Sequence, residues 1–115
     1  MRGARAHHAG LAAEEIALRL YPGARVLAAR WRRPEGEIDL ILDEAGTTVF
    51  VEVKARRSLA AAAEALTPRQ RARIVAAASR WLAEAGGTGD CRFDVAVVDA
   101  SGRAERLENA FGAEA

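Results

Sequence analysis

The sequence predicts a small α/β domain, a mixed β-sheet flanked by helices in the order α-β-β-β-α-β. Three observations lead there. Two alanine-rich stretches carry apolar residues near helical spacing, several short segments rich in Val, Leu and Ile have the length and bounding turns of strands, and no internal repeat or low-complexity linker divides the chain. With 115 residues and 50% hydrophobic content, residues 1–115 suit one core, and no second domain is needed.

Taken in order, the first helix is expected from Ala9 to Tyr21, where Leu11, Ile16 and Leu20 fall near helical spacing and Pro22-Gly23 acts as a stop. Arg25 to Trp31, carrying Val26 and Leu27 between Pro22-Gly23 and Pro34, reads as a strand. Glu37 to Asp43 and Thr48 to Ala55 read as two more, joined by a short hairpin loop over Glu44 to Thr47. Ser58 to Leu66 is an alanine-rich connection, open between partly helical and mobile. At Thr67 the signals for a helix start converge: Thr67 as N-cap, Pro68 at the first helical position and Gln70 completing a capping box. Ile74, Ala77, Ala78, Trp81 and Leu82 give that helix an apolar face, and Gly86-Gly87 ends it. Arg92 to Asp99 is a valine-rich strand, followed by a Ser101-Gly102 turn and a last segment from Ala104 to Leu107. Residues 1–8 and 112–115 are expected to be loose.

Composition excludes several classes. The single cysteine, Cys91, rules out an intramolecular disulfide framework, and no signal-peptide pattern opens the chain, so a cytoplasmic protein is expected. Charges interrupt every apolar segment well short of the ~20 residues that a membrane helix needs, so no membrane association is expected. The 17 basic and 16 acidic residues leave a net charge of +1, which does not announce a nucleic-acid binder. The arginines are clustered, however, at Arg30, Arg32 and Arg33, at Arg56 and Arg57, and at Arg69, Arg71 and Arg73. A solvated face and a phosphate-contacting rim explain such clusters equally well.

The candidate site lies in the two hairpin strands. Phe50-Val51-Glu52-Val53-Lys54 sets opposite charges two residues apart on one face of a strand, with side-chain origins about 6 to 7 Å apart. A loop over Glu44 to Thr47 pairs Asp43 with Thr48 and, by stepping back, Asp39 with Glu52 and Glu37 with Lys54. Facing carboxylates repel, so they call for a compensating cation or a strongly raised pKa. A hard divalent ion such as Mg²⁺ suits two carboxylates, with Lys54 left to orient water or neutralise developing charge. The alternative is an exposed sheet face carrying a Glu37 to Lys54 ion pair. An odd loop length would also put Asp39 on the other face from Glu52.

These residues also carry a resemblance. Gly36-Glu37-Ile38-Asp39-Leu40-Ile41 and Val49-Phe50-Val51-Glu52-Val53-Lys54-Ala55-Arg56 resemble the signature of the YraN-type family of bacterial proteins, a branch of the PD-(D/E)xK nuclease superfamily. Gly10 with Glu14, Glu15 and Ala17 resembles its first helix, Arg92-Phe93-Asp94-Val95 its later strand, and Asn109-Ala110-Phe111 its ending. The resemblance implies a restriction-endonuclease-like fold and a nuclease that uses Mg²⁺ or Mn²⁺ on nucleic acid, DNA before RNA, with structure-selective repair, recombination or processing as its setting. It makes Asp39, Glu52 and Lys54 catalytic, Asp39 and Glu52 metal ligands, and Glu14 a further ligand from the first helix. Gln70, Arg56 and Arg32 are the candidate substrate contacts, although the capping box accounts for Gln70 by itself. Gln70 stands where the family commonly has lysine, and Arg30 where it commonly has asparagine.

Other residues have plainer readings. Glu15 is expected in solvent, Asp94 in a structural role such as pairing with Arg92, and Trp81 in the core, with Trp31 undecided between core and base stacking. His7 and His8 lack a partner at zinc-ligand spacing, and Cys91 lacks a base. The competing functions are a non-catalytic nucleic-acid-binding or repair-accessory protein and a small interaction protein with decorative sheet charges. A symmetric homodimer would let two sites address both strands of a duplex.

Overall fold

The computed structural model describes residues 12–87 and 89–112. A five-stranded sheet, β1 (Arg25–Arg33), β2 (Gly36–Glu44), β3 (Thr47–Ala55), β4 (Cys91–Val98) and β5 (Ala104–Phe111), has its strands in sequence order. The β1–β2, β2–β3 and β4–β5 pairs are antiparallel and β3–β4 is parallel, so the sheet is mixed as expected. The parallel step requires a crossover, supplied by two helices, α2 (Leu59–Glu64) and α3 (Pro68–Ala85). A first helix, α1, covers residues 12–18 of the described chain.

Local chemistry accounts for most boundaries. After residue 18 the chain tightens into a turn, with the amides of Arg19, Leu20 and Tyr21 bonded to carbonyls three residues back, so the helix stops short of the expected Tyr21. The expected start at Ala9 and the loose residues 1–8 lie outside the described residues, as do 113–115. The alanine-rich connection is helical rather than mobile: the Ser58 hydroxyl accepts the Ala61 N–H at 3.1 Å and so caps α2. At α3 both halves of the capping box are present, the Thr67 hydroxyl accepting Gln70 N–H at 3.1 Å and Gln70 Oε1 accepting Thr67 N–H at 3.0 Å. Gly86, at φ +68°, closes that helix in the left-handed conformation that glycine favours.

The hairpin loop is shorter than expected. Glu44 already pairs with Thr47, leaving Ala45 and Gly46 as the turn, both at positive φ as a type I′ turn demands. The expected Asp43 to Thr48 register holds. At the far edge β5 runs to Phe111 rather than ending at Leu107. A bulge hides its alternation: Asn109 takes φ +54° and donates its N–H to Asp94 across the register shift.

The sheet is covered on both faces. Ile38, Ile41, Phe50, Phe93 and Phe111 meet Ala62 of α2 and Ile74, Ala77 and Ala78 of α3, with Phe50, Phe93 and Phe111 stacked in a row at 5.3 and 5.0 Å. Trp81 meets Phe50 edge-on at 5.9 Å, which makes it a core residue. On the other face Leu40, Leu42, Val49, Val51 and Ala96 pack on Ala17 and Tyr21. No helix among the described residues is long and apolar enough to cross a membrane.

Candidate active site

Strand alternation divides β3 between the two layers. Val49, Val51 and Val53 face the α1 side, while Phe50 and, by alternation, Glu52 and Lys54 face the α3 side. Two charged residues thus continue a row that begins in the aromatic core. The Lys54 side chain is 11% exposed and that of Glu52 13%, and Lys54 Nζ lies 3.2 Å from Glu52 Oε2. Lys54 is the only lysine in the sequence; every other basic side chain is arginine. A compact ammonium on a flexible stem takes up less room there than a planar guanidinium would.

The β2–β3 ladder ends at Leu40 and Val51, although both strands continue beyond it. One step further the same register sets Asp39 against Glu52, as the hairpin spacing predicts. The strands part there, and Asp39 Oδ2 accepts the Val53 N–H at 2.8 Å, a carboxylate taking the place of a ladder carbonyl. On its other side Asp39 lies opposite Arg30, since Ala29 pairs with Leu40 and Trp31 with Ile38. Arg30 is at φ +49°, a conformation that costs a non-glycine residue about 1–2 kcal/mol. Asparagine tolerates that region better, which gives a backbone reason for the asparagine common in the resembled family.

The electrostatics follow from this crowding. Burial, then the Asp39 carboxylate, push the Glu52 carboxyl up to about 8, with Lys54 pulling the other way. The reading of Glu37 and Lys54 as an exposed ion pair is overturned, because Lys54 is buried on Glu52 and Glu37 is taken by Arg32 at 3.0 Å.

Beside Glu52 opens a cleft of about 210 Å³ lined by Glu37, Glu52, Gln70, Arg73 and Ile74. Gln70 therefore does two things: it completes the helix cap, and it borders the carboxylate site. Arg73, known from the sequence only as one of a cluster, lines the same cleft; its position three residues after Gln70 on one helix was the available signal. Arg32 and Arg56 are not among the cleft residues. Arg32 is exposed on Glu37, and Arg56 donates to the Ala55 carbonyl and borders a separate, mainly apolar groove between α1 and the ends of β3 and β4. Glu14 reaches Arg30 at 3.4 Å, and Glu15 is exposed. Among the described residues no group of three or more His, Cys, Asp and Glu side chains converges as a metal cage. Asp39 and Glu52 are the carboxylates that the hairpin brings together. Trp31 lies half-buried under the Arg33 guanidinium at 4.3 Å, and Cys91 is exposed.

A mixed sheet flanked by helices, its hairpin strands parted at two facing carboxylates, is a restriction-endonuclease-like α/β architecture. Residues 13–98 match the profile described as "Uncharacterised protein family UPF0102", and the chain belongs to that family, the YraN-type family that the signature residues resemble. A UPF0102 protein of Cereibacter sphaeroides strain KD131 is 50% identical over 117 residues, covering 98% of this chain and all of the relative. One from Ruegeria pomeroyi is 51% identical over 115 residues, covering 96% of this chain and 94% of its own. A third, from Granulibacter bethesdensis, is 45% identical over 96% of this chain and 73% of its own length.

Proposed function

We propose that the chain is a metal-dependent nuclease that hydrolyses phosphodiester bonds of nucleic acid, DNA in preference to RNA, with structure rather than sequence as the basis of selection. One observation carries this: the Asp39 and Glu52 carboxylates are crowded together in a part-buried site, beside the only lysine of the chain. Two part-buried carboxylates repel one another, and a bound divalent cation relieves that repulsion.

The donor set fits Mg²⁺ or Mn²⁺. Such ions take oxygen ligands, and Mg²⁺ is commonly held by one or two carboxylates with waters and substrate phosphate oxygens completing the shell, so two acids suffice. Asp39 and Glu52 would hold the ion, and Glu14, paired with Arg30 at 3.4 Å, would be the further ligand that the family resemblance implies. When bound, the ion supplies Lewis-acid polarisation of the phosphoryl group. Lys54 Nζ, steadied by Glu52, donates toward the attacking water or the developing negative charge. Gln70 borders the position that the scissile phosphate would take. Lys54, buried against Glu52 beside Asp39, favours chemistry over binding alone.

Calorimetric titration with Mn²⁺ tests the site, with binding expected for the wild type and lost in Asp39→Ala. Cleavage is assayed on linear, flapped and four-way DNA and on RNA counterparts. Activity that requires a divalent ion is expected, and Glu52→Ala, Lys54→Ala and Lys54→Arg should each reduce it by about 10²-fold or more while the fold persists. Equal Mn²⁺ affinity in wild type and Asp39→Ala would remove the metal site. A wild type that binds these substrates and cuts none with either ion would be a non-catalytic accessory protein instead.

A further inference from the structure

Positive charge is unevenly compensated over this molecule. On β1, the second half of α3, β4 and β5, arginines have carboxylate partners: Arg32 has Glu37, Arg33 and Arg80 share Glu84, and Arg92 and Arg106 share Glu44. Arg56 and Arg57, just after β3, and Arg69, Arg71 and Arg73, in the first turns of α3, pair with no carboxylate among the described residues. Arg71 Nε is in addition shielded from solvent and without an acceptor. Of these cations Arg73 lines the cleft at Glu52, beside Gln70, and Arg69 lies one turn before it on α3, whereas Arg56 borders the other groove.

Arg69 and Arg73 are four residues apart on one face of α3, about 6 Å along its axis. Like charges at that spacing weaken a helix slightly, so their placement is not explained by helix stability. It does match the separation of successive phosphates along one strand, and guanidinium groups grip phosphate oxygens in pairs. Between them in sequence, Gln70 has its Oε1 committed to the Thr67 N–H, which leaves its amide NH₂ to donate. The cleft, at about 210 Å³, falls below the ~300 Å³ at which pockets begin to take whole small-molecule ligands. A single phosphodiester unit fits it.

We propose that Arg69 and Arg73 hold consecutive phosphates of one nucleic-acid strand and lead that strand along α3 into the cleft beside Glu52. The inference rests on the reading of the cleft as a nucleic-acid site and adds the side from which the strand is held. An acidic protein surface is the other polyanion that these cations would suit, and the test separates the two.

Fluorescence anisotropy with a labelled single-stranded DNA, in EDTA and over a salt series, compares the wild type with the double variant Arg69→Ala/Arg73→Ala and with Arg80→Ala. Arg80 lies on the same helix but is matched by Glu35 and Glu84. Each phosphate contact contributes about 0.7 to the slope of log affinity against log salt, so the double variant should lose about 1.4 in slope and Arg80→Ala almost nothing. Both altered side chains are exposed, and circular dichroism verifies that the fold is kept. An unchanged slope in the double variant or an equal loss in Arg80→Ala overturns the proposal, and no wild-type binding even at low salt overturns it in favour of an acidic protein as the partner. Because no metal is present, failures are distinguishable: expected slopes with no cleavage in the activity assay retire the nuclease chemistry alone, and cleavage with unaltered slopes retires this strand path alone.

Discussion

Glu52 is the residue whose behaviour is most informative. Its folded pKa, pushed up to about 8, lies above the ordinary 4.5 that it regains on unfolding. Between those values the native state holds more protons than the unfolded chain, so its contribution to stability is fully present below about 4.5 and is lost as pH rises through about 8. Thermal melts in a chelator across that window should therefore show the wild type losing stability relative to Glu52→Gln, and added Mn²⁺ should flatten the difference by favouring the charged form. Parallel melting curves for the two proteins would remove the carboxylate crowding on which the site depends. Much of this was legible early. Two charges in a valine strand, and a carboxylate four residues before the end of the preceding strand, are visible without coordinates, and the period-2 alternation of a strand leaves few ways to arrange them. That Lys54 is the only lysine in an arginine-rich chain is an equally plain signal.

The β2–β3 hairpin is the element that aims the site, and its turn is imperfect. Ala45 sits at φ +52° where Asn or Asp is favoured before the glycine. Ala45→Asn should raise stability by about 0.5–1 kcal/mol, read as a higher urea midpoint with unchanged slope, since it relieves left-handed strain without touching the ladder. A lower midpoint would mean that the turn is not of the type its dihedrals indicate. Registers follow from turns in this way because a hairpin is local: the shortening of the loop to Ala45-Gly46 left Asp43 opposite Thr48, for an even change in loop length preserves both pairing and face. The α3 cap was legible for the same reason. Where α3 sits was not, and it is fixed partly by Gly36, whose hydrogen in place of a Cβ lets the Arg73 carbonyl approach; a Cβ there would stand 3.0 Å from that oxygen.

Across the whole molecule the end of the sheet remote from the cleft is tied by a buried ionic network. Asp94, fully buried, accepts from the Tyr21 hydroxyl at 2.8 Å, from Arg92 at 3.0 Å and from the Asn109 N–H at 2.9 Å. Arg92 and Arg106 both reach Glu44 at 2.6 Å, and Arg106 lies over the Tyr21 ring at 4.6 Å. The chain after α1, the hairpin end of β2, and strands β4 and β5 are thereby joined through one cluster. Burial and the Asp94 carboxylate hold the Tyr21 hydroxyl well above its ordinary pKa, so it stays a donor. Asp94→Asn should cost about 3 kcal/mol in a denaturant melt, because Arg92 loses a buried partner, while Mn²⁺ affinity at Asp39 and Glu52 stays as in the wild type. A loss below about 1 kcal/mol would show that Glu44 alone suffices for Arg92. The sequence marked Arg92 and Asp94 as a pair, but not the three other elements that meet there.

By itself the sequence determined what depends on near neighbours, the strands and the capped helix, and it offered the opposition of Asp39 to Glu52 beside Lys54 as one of two registers. Each follows from a short-range period or a turn of few residues, so little chain lies between cause and consequence. Only the tertiary structure decided what depends on the crossover from β3 to β4, because contacts across that span are set by packing rather than by spacing. It brought Arg73 to the cleft with Gln70 and turned Arg56 toward another groove. It matched Glu14 with Arg30, and among the described residues it sorted an evenly charged chain into arginines that have acids and arginines that do not.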